Sequence, residues 1–277
     1  MAHRPPPPPA RPRRRPPRPP GKPPSGRSRD TEEAFLAGYD LAAFPRPSVT
    51  VDVVLLTVDR TVPTSAPRLH AVAYERTEHP DRHKHALPGG FVRLDESLDQ
   101  AAARILRDKA GLEGLFVEQL YTFGAPQRDP RGRVLTVAYY ALVGPERLAD
   151  LALRSSARVH LVDVPWAGET GGPVDLLAGP GEPLPLAFDH ADILGMAVKR
   201  LRGKLDYTPV GFQLLPAEFT LRALQDVHEA VRGETVNKDS FRRRMLAGGM
   251  LEATGEREPA TYHRPAELYR FVKRSSV

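Results

Sequence analysis

The stretch that most constrains this chain runs from Leu87 to Leu112 and reads LPGGFVRLDESLDQAAARILRDKAGL. Pro88-Gly89-Gly90 makes a turn before a short extended piece. Glu96–Ala110 then carries Leu98, Ala101, Ala102, Ile105 and Leu106 at the three- and four-residue spacing of a helix with one buried face. Gly111 stands where such a helix ends in a left-handed residue. A turn, a loop and a helix of set length, closed by glycines at both ends, form a unit that must dock on a sheet to bury its apolar stripe.

The flanking sequence supplies that sheet. Val49–Asp59 (VTVDVVLLTVD) is a continuous β-branched run of the kind found in buried strands. Arg68–Glu75, Phe116–Phe123, Val134–Val143 and Val159–Val164 are further strands, the middle pair joined by the turn Asp129-Pro130-Arg131-Gly132. His79–Lys84 is a polar loop and Gly168–Pro185 a Gly/Pro-rich one. Asp189–Lys204 is an amphipathic helix built on Ile193, Leu194, Ala197 and Leu201. Mixed strands with two helices predict an α/β/α layered domain. Beyond a break at Asp206–Pro209, Pro216–Val231 repeats Phe219, Leu221, Leu224, Val227 and Val231 at helical spacing and closes at Gly233. A short helix after Asn237 or Asp239 carries Phe241, Met245 and Leu246 on one side and Arg242, Arg243 and Arg244 towards the other. Met250–Thr254 and Tyr262/Leu268–Val272 then predict a hairpin around Gly255–Ala260. That order is the order of a winged helix-turn-helix.

Composition narrows the function. The chain has 277 residues, 40% hydrophobic, enough for one large or two ordinary domains. It has no cysteine, which excludes a disulfide framework, a thiolate zinc site and a cysteine nucleophile. No apolar run approaches the roughly 18 residues of a membrane span, and the basic N-terminus lacks a signal peptide's apolar stretch, so a cytoplasmic location is expected. Residues 1–30 hold 12 of the 30 prolines and nine Lys/Arg against one acid, Asp30, a net +8. The whole chain is +6, so residues 31–277 carry −2. The basic character belongs to a Pro/Arg-rich tail expected to be disordered, either a solvated leader or an arm that tracks DNA phosphates. Three segments are therefore expected: the tail 1–30, a domain with its linker helix over 31–205, and the winged helix over 206–277.

The segment from Gly90 to Leu112 resembles the Nudix box. Gly90, Glu96, Arg104, Leu106, Gly111 and Leu112 fall on its spacing, and LPGG precedes it. In that family three helix glutamates at i, i+3 and i+4 hold Mg²⁺ against a pyrophosphate. Here those positions are Ile105, Asp108 and Lys109, so the remnant box (Gly90, Glu96, Arg104, Asp108) implies weak or absent Mg²⁺ binding, no metal cofactor and little hydrolysis. A broken box followed by a winged helix resembles the Nudix-related transcriptional regulators. LAFDHADIL (Leu186–Leu194), LDYTPVGFQLLPAEFTLRALQDVHEAV (Leu205–Val231), NKDSFRRRMLAGGML (Asn237–Leu251) and RPAELYRF (Arg264–Phe271) extend the likeness over residues 45–273.

The resemblance implies a dimeric, ligand-responsive repressor of NAD-synthesis genes. It implies an inactive Nudix domain that senses ADP-ribose or a related nucleotide, and a palindromic double-stranded operator. An active ADP-ribose hydrolase and a regulator tuned to a sugar or phosphosugar are the alternatives. Ligand candidates are Arg128, Asp129 and Arg131, with Arg128 on a phosphate, although Asp129–Gly132 also reads as a plain hairpin turn. Glu96 and Arg104 either join them or brace the loop as an ion pair. Asp189 is a helix cap or a ligand contact, and His190 a core, interface or ligand-site residue. On the DNA side, Arg242–Arg244 suit phosphates and base edges, the alternative being a solvated charged face. Asn237 and Lys238 are placed near the backbone, and His263 and Arg264 in the wing near a minor groove.

Overall fold

A computed structural model describes residues 31–59, 66–149, 151–205, 208–259 and 265–272. By contacts the chain divides into Met1–Arg46 and Pro47–Val277. In the first unit, Thr31 caps helix α1 (Glu32–Gly38) by accepting from the Ala34 N–H, and Asp40 caps a 3₁₀ turn, Leu41–Ala43.

The second unit runs β1 (Ser48–Asp59), β2 (Arg68–Glu75), β3 (His85–Ala86), β4 (Gly89–Phe91), α2 (Leu98–Ile105), β5 (Glu118–Phe123) and β6 (Val134–Leu142). It continues through α3 (Pro145–Leu148), α4 (Leu151–Arg154), β7 (Arg158–Asp163), β8 (Asp175–Gly179), β9 (Glu182–Leu184) and α5 (His190–Lys204). A 3₁₀ turn (Pro209–Leu214) then leads to β10 (Glu218–Thr220), α6 (Leu221–Arg232), α7 (Lys238–Ala247), β11 (Leu251–Arg257) and β12 (Glu267–Phe271).

The large sheet has the order β5-β6-β1-β2-β7-β8-β9, with β3 added to β2 and β4 to β1. β6 runs parallel to β1 and the other described pairings are antiparallel. β1 is buried on both faces, which explains its unbroken β-branched run. Val51, Val53 and Leu55 pack on Ala101, Ala102 and Ile105 of α2. Val54, Leu56 and Val58 face the α5 side, with Ile193, Leu194, Ala197, Val198 and Leu201. The result is an α/β/α sandwich.

The winged helix is joined to this core rather than hung from it. Val227, Ala230 and Val231 of α6, with Leu205 and Leu214, belong to the α5 core. Leu221, Ala223 and Leu224, from the start of α6, pack with Phe219, Phe241, Met245 and Tyr269. One helix therefore serves two cores.

Several elements differ from the sequence expectation. The helix expected from Glu96 starts at Leu98, behind a capping box in which Ser97 and Gln100 exchange hydrogen bonds of 3.2 and 2.8 Å. Its last turn, Leu106–Ala110, widens into a π turn closed by left-handed Gly111. The expected loop Gly168–Pro185 contains β8 and β9, turning at Gly181 (φ 75°). The helix expected from Pro216 begins only at Leu221. Glu218–Thr220 pairs with β12, and the Thr220 hydroxyl caps α6. Gly255 (φ 81°) lies inside β11 at a register shift between Ala253 and Arg257, so the hairpin turn falls beyond Arg257. Leu246 is 41% exposed instead of joining Phe241 and Met245 in the core. No helix among the described residues is long and apolar enough to cross a membrane.

Candidate functional site

Two sites can be built from these elements. The first gathers where β1, the start of α5 and the loop before β6 meet. Asp52 is the one charge in the apolar run of β1, and it is buried. Arg128 lies against it at 3.6 Å, but the Arg128 fork is filled by Asp189, at 2.8 Å from Nε and 2.6 Å from Nη2. Burial opposes the Arg128 charge, but Asp189, Asp52 and Asp129 outweigh it and raise its pKa. His190 Nδ1 accepts the Leu87 N–H at 3.0 Å, which puts the ring proton on Nε2, 3.7 Å from Asp52. Burial, only partly offset by Asp52, lowers the His190 pKa, so the ring is neutral. Gly89 makes room here for Asp52, since a Cβ would overlap the carboxylate where it stands.

Above this locked layer lies an aromatic and cationic rim. Phe188 holds a positive φ of 52°, unusual for a bulky residue. Its N–H donates to Asp81 at 2.9 Å, and Lys84 pairs with the same carboxylate at 2.7 Å, which lowers the Asp81 pKa. The Phe188 ring has the Arg76 guanidinium 4.9 Å from its centroid and that of Arg131 at 5.7 Å; Arg131 also lies 5.3 Å from the ring of Phe91. Asp129 orients Arg131 through 2.7 and 3.0 Å bonds, and those bonds depress the Asp129 pKa. Arg131 and Phe91 are nearly half exposed. Arg76 also donates to the Pro80 and Glu78 carbonyls, at 2.9 and 3.4 Å, so the exposed Phe91 ring and the half-exposed Arg131 beside it are the groups that suit a ligand combining a planar ring with anionic oxygens.

The remnant box borders this rim. Gly90 lies beside Ile105, which is buried in the α2 core. Glu96 takes Arg104 through both oxygens, at 2.8 and 2.5 Å, and the Arg93 N–H at 2.9 Å. The Arg104 bonds hold the Glu96 carboxyl near pKa 2. Asp108 pairs with Arg107 at 3.0 Å, and the Lys109 ammonium lies 5.4 Å from the centre of the Tyr74 ring. A buried isoleucine, one outward carboxylate, an ammonium and a glutamate taken by arginine make a donor set that does not fit Mg²⁺. Among the described residues no group of three His, Asp or Glu side chains is arranged to hold a metal.

Of the expected ligand residues, Arg131 and Asp129 meet at the rim. Arg128 sits beneath it with its fork occupied, and Glu96 and Arg104 form the loop brace. Asp189 occupies the N-cap position of α5 without bonding the helix end, since its oxygens are committed to Arg128. Sequence reading missed Asp52, Arg76, Asp81 and Phe91. The lone acid inside VTVDVVLL was the available signal for Asp52, because a charge in a buried strand needs a partner.

The second site is the helix pair α6–α7. Its turn is held by a polar network. Gln225 donates to Glu229 at 2.8 Å and to the Val236 carbonyl at 3.1 Å, and the Val236 N–H donates to Glu229 at 3.0 Å. Asn237 caps α7 by accepting from Ser240 at 3.0 Å. Phe241 and Met245 anchor α7 in the small core, which leaves Lys238, Arg242, Arg243 and Arg244 exposed, Arg243 opposite the buried face and Arg242 and Arg244 on its two flanks. Arg244 lies 5.6 Å from the centre of the Phe241 ring, and Arg242 lines a small cavity with Tyr269 of the wing, whose hydroxyl donates to Glu267 at 2.6 Å. His263 and Arg264 lie outside the described residues.

Residues 49–166 match the NUDIX domain family, and residues 211–271 match the NrtR DNA-binding winged helix domain. The ADPR responsive transcriptional repressor NtrR of Acinetobacter baylyi is 36% identical over 244 residues, which span 87% of this chain and 89% of that protein. The crystal structure of Shewanella oneidensis NrtR complexed with a 27mer DNA is 32% identical, with a TM-score of 0.63 over 81% of this chain and 93% of that one. A MutT/nudix family protein from Enterococcus faecalis has a TM-score of 0.70 at 27% identity, over 87% of this chain and 94% of that one. With both domains matched in order and the likeness running through nearly all of both chains, the chain belongs to the NrtR family of Nudix-related transcriptional regulators.

Proposed function

We propose that this chain is an ADP-ribose-responsive transcriptional repressor. It binds a palindromic operator as a homodimer through α7 and controls genes of NAD synthesis. The observation that carries the reading is the pairing of two features in one chain. An arginine-flanked aromatic rim lies beside a Nudix box that lacks two of its three helix carboxylates, and three exposed arginines lie on the second helix of a helix-turn-helix. The Acinetobacter relative is described as responsive to ADP-ribose, and the Shewanella relative was crystallised on DNA.

The same donor set supports a sensor without turnover or a metal cofactor. Ile105 and Lys109 occupy positions where metal binding needs anionic oxygens. ADP-ribose incubated with the full chain and Mg²⁺ tests this. The expected result is calorimetric binding that does not depend on Mg²⁺, with turnover far below the ordinary enzyme range of about 1–10³ s⁻¹. Mg²⁺-dependent release of AMP within that range would make the chain a hydrolase. Binding of pentoses in place of ADP-ribose would make it a sugar sensor.

A further inference from the structure

Arg202 is buried in the last turn of α5 and spends its donors on backbone carbonyls from two other segments. Nε donates to Val231 at 2.8 Å, and Nη1 donates to Gly168 at 2.9 Å and to Trp166 at 3.1 Å. Its guanidinium lies 4.7 Å from the centre of the Trp166 ring. Among the described residues no carboxylate lies within salt-bridge range of it. A buried cation of this kind is tolerable only while its donors stay satisfied, so it resists any shift of these segments against one another. Val231 is in the final turn of α6, where carbonyls lack partners within the helix. A Cβ on the following Gly233 would lie 3.3 Å from Arg202 Nη2, so the chain passes close by as it leaves α6 for α7.

The segment that supplies the other two carbonyls also reaches the far end of α5. The Val174 N–H donates to Ala191, in the first turn of α5, at 3.3 Å. Gly195 has no room for a Cβ because the Gly172 carbonyl lies against it. Trp166 Nε1 closes the segment on itself through Gly172 and Pro173, at 3.2 and 3.3 Å. Residues 166–174 therefore lie along α5 from the turn after Asp189 and His190, under the ligand rim, to Arg202 at the other end. Beyond Val231, the Gln225–Glu229–Val236 network ties the end of α6 to the start of α7.

We propose that Arg202 is the positioning residue that couples the two sites. It latches α5 and the 166–174 segment to the end of α6, so that a displacement at the ligand end of α5 is passed to α7. This rests on the chain being an ADP-ribose-responsive DNA binder. The warrant is a physical connection whose two ends belong to the two sites, each hydrogen-bonded into a different element.

The test uses the full chain and its Arg202→Lys and Arg202→Met variants. Lysine keeps the charge but loses the planar fork, and methionine keeps much of the volume. Three quantities are measured: ADP-ribose affinity by calorimetry, affinity for a duplex of the promoter adjoining this chain's gene, and the factor by which saturating ADP-ribose changes the latter. In the parent that factor should fall in the usual range of about 5–150. In the variants, both separate affinities should stay within about threefold of the parent while the factor falls to within about twofold of one. Trp166, the single tryptophan, supplies a readout without ligand. Heat unfolding followed by its fluorescence and by circular dichroism should coincide in the parent and separate in the variants. If methionine prevents folding, the lysine variant carries the test alone.

Retention of the parent factor, with coincident transitions, would overturn the proposal. So would parallel losses of more than about tenfold in both affinities, which would mark Arg202 as merely structural. A parent that binds the duplex equally well with and without ADP-ribose would instead reject the functional reading, leaving the unfolding experiment to judge the latch.

Discussion

Arg243 differs from the arginines on either side of it. Arg242 lies beside Tyr269 of the wing, and Arg244 leans over the Phe241 ring, whereas Arg243 is exposed without a hydrogen bond or ion pair among the described residues. A guanidinium free to present its fork suits a guanine edge, while one braced against the protein suits a phosphate. Arg243→Ala should therefore cost about 1–3 kcal/mol and relax specificity at one operator position. Arg242→Ala should weaken all duplexes alike and reduce the salt slope by about one. Operator and scrambled duplexes titrated at two salt concentrations distinguish these patterns, and equal losses on both duplexes for Arg243→Ala would contradict its assignment. The arginine run itself was visible in the sequence, but the division of labour within it was not. That division depends on Tyr269, which only the strand pairing brings beside α7.

Between elements, the small strand β3 deserves a pH experiment. It joins β2 on one side, and its His85 exchanges 2.8 Å backbone bonds with Pro185 and Ala187, just before Phe188 and Asp189. The His85 ring meets His160 of β7 edge-on at 5.1 Å, and each ring has a buried nitrogen without a hydrogen bond. Burial foremost, and then His85, push the His160 pKa down to about 4, and burial lowers that of His85 as well. The unfolded chain therefore takes up protons first. Stability is complete above about pH 6.5 and is lost as the pH falls from there towards 4. His160→Phe should flatten that loss, as followed by urea midpoints between pH 7 and 4; an unchanged pH dependence would show that the pair does not matter.

Helix α2, its Gly111 end and strand β1 were legible because periodicity and a left-handed glycine are local signals. β8 and β9 were hidden because their turn, Gly179-Pro180-Gly181, looks like part of a loop. β10 was hidden because Phe219 fits the helical spacing of α6, and pairing with Tyr269 overrides that pattern. The rim was half legible. Arg131 and Asp129 are neighbours in sequence, but Arg76 and Phe188 meet across more than a hundred residues.

Across the whole molecule, charge is unevenly spread along the sequence. Residues 1–30 carry a net +8 and the remainder −2. Removing residues 2–30 should leave the thermal midpoint and operator preference unchanged while weakening affinity and flattening its salt dependence, because up to nine cations would no longer displace counterions. A drop in the midpoint would show that the tail supports the fold. The central claim is that one chain senses ADP-ribose without consuming it and answers through DNA. Titrating the adjoining promoter duplex with the full chain, with and without saturating ADP-ribose, and quantifying the nucleotide afterwards, tests that claim most directly. The account predicts a change in duplex affinity of about fivefold or more, with the ADP-ribose recovered intact; an affinity that ADP-ribose leaves unmoved, or a nucleotide hydrolysed during the titration, would contradict it.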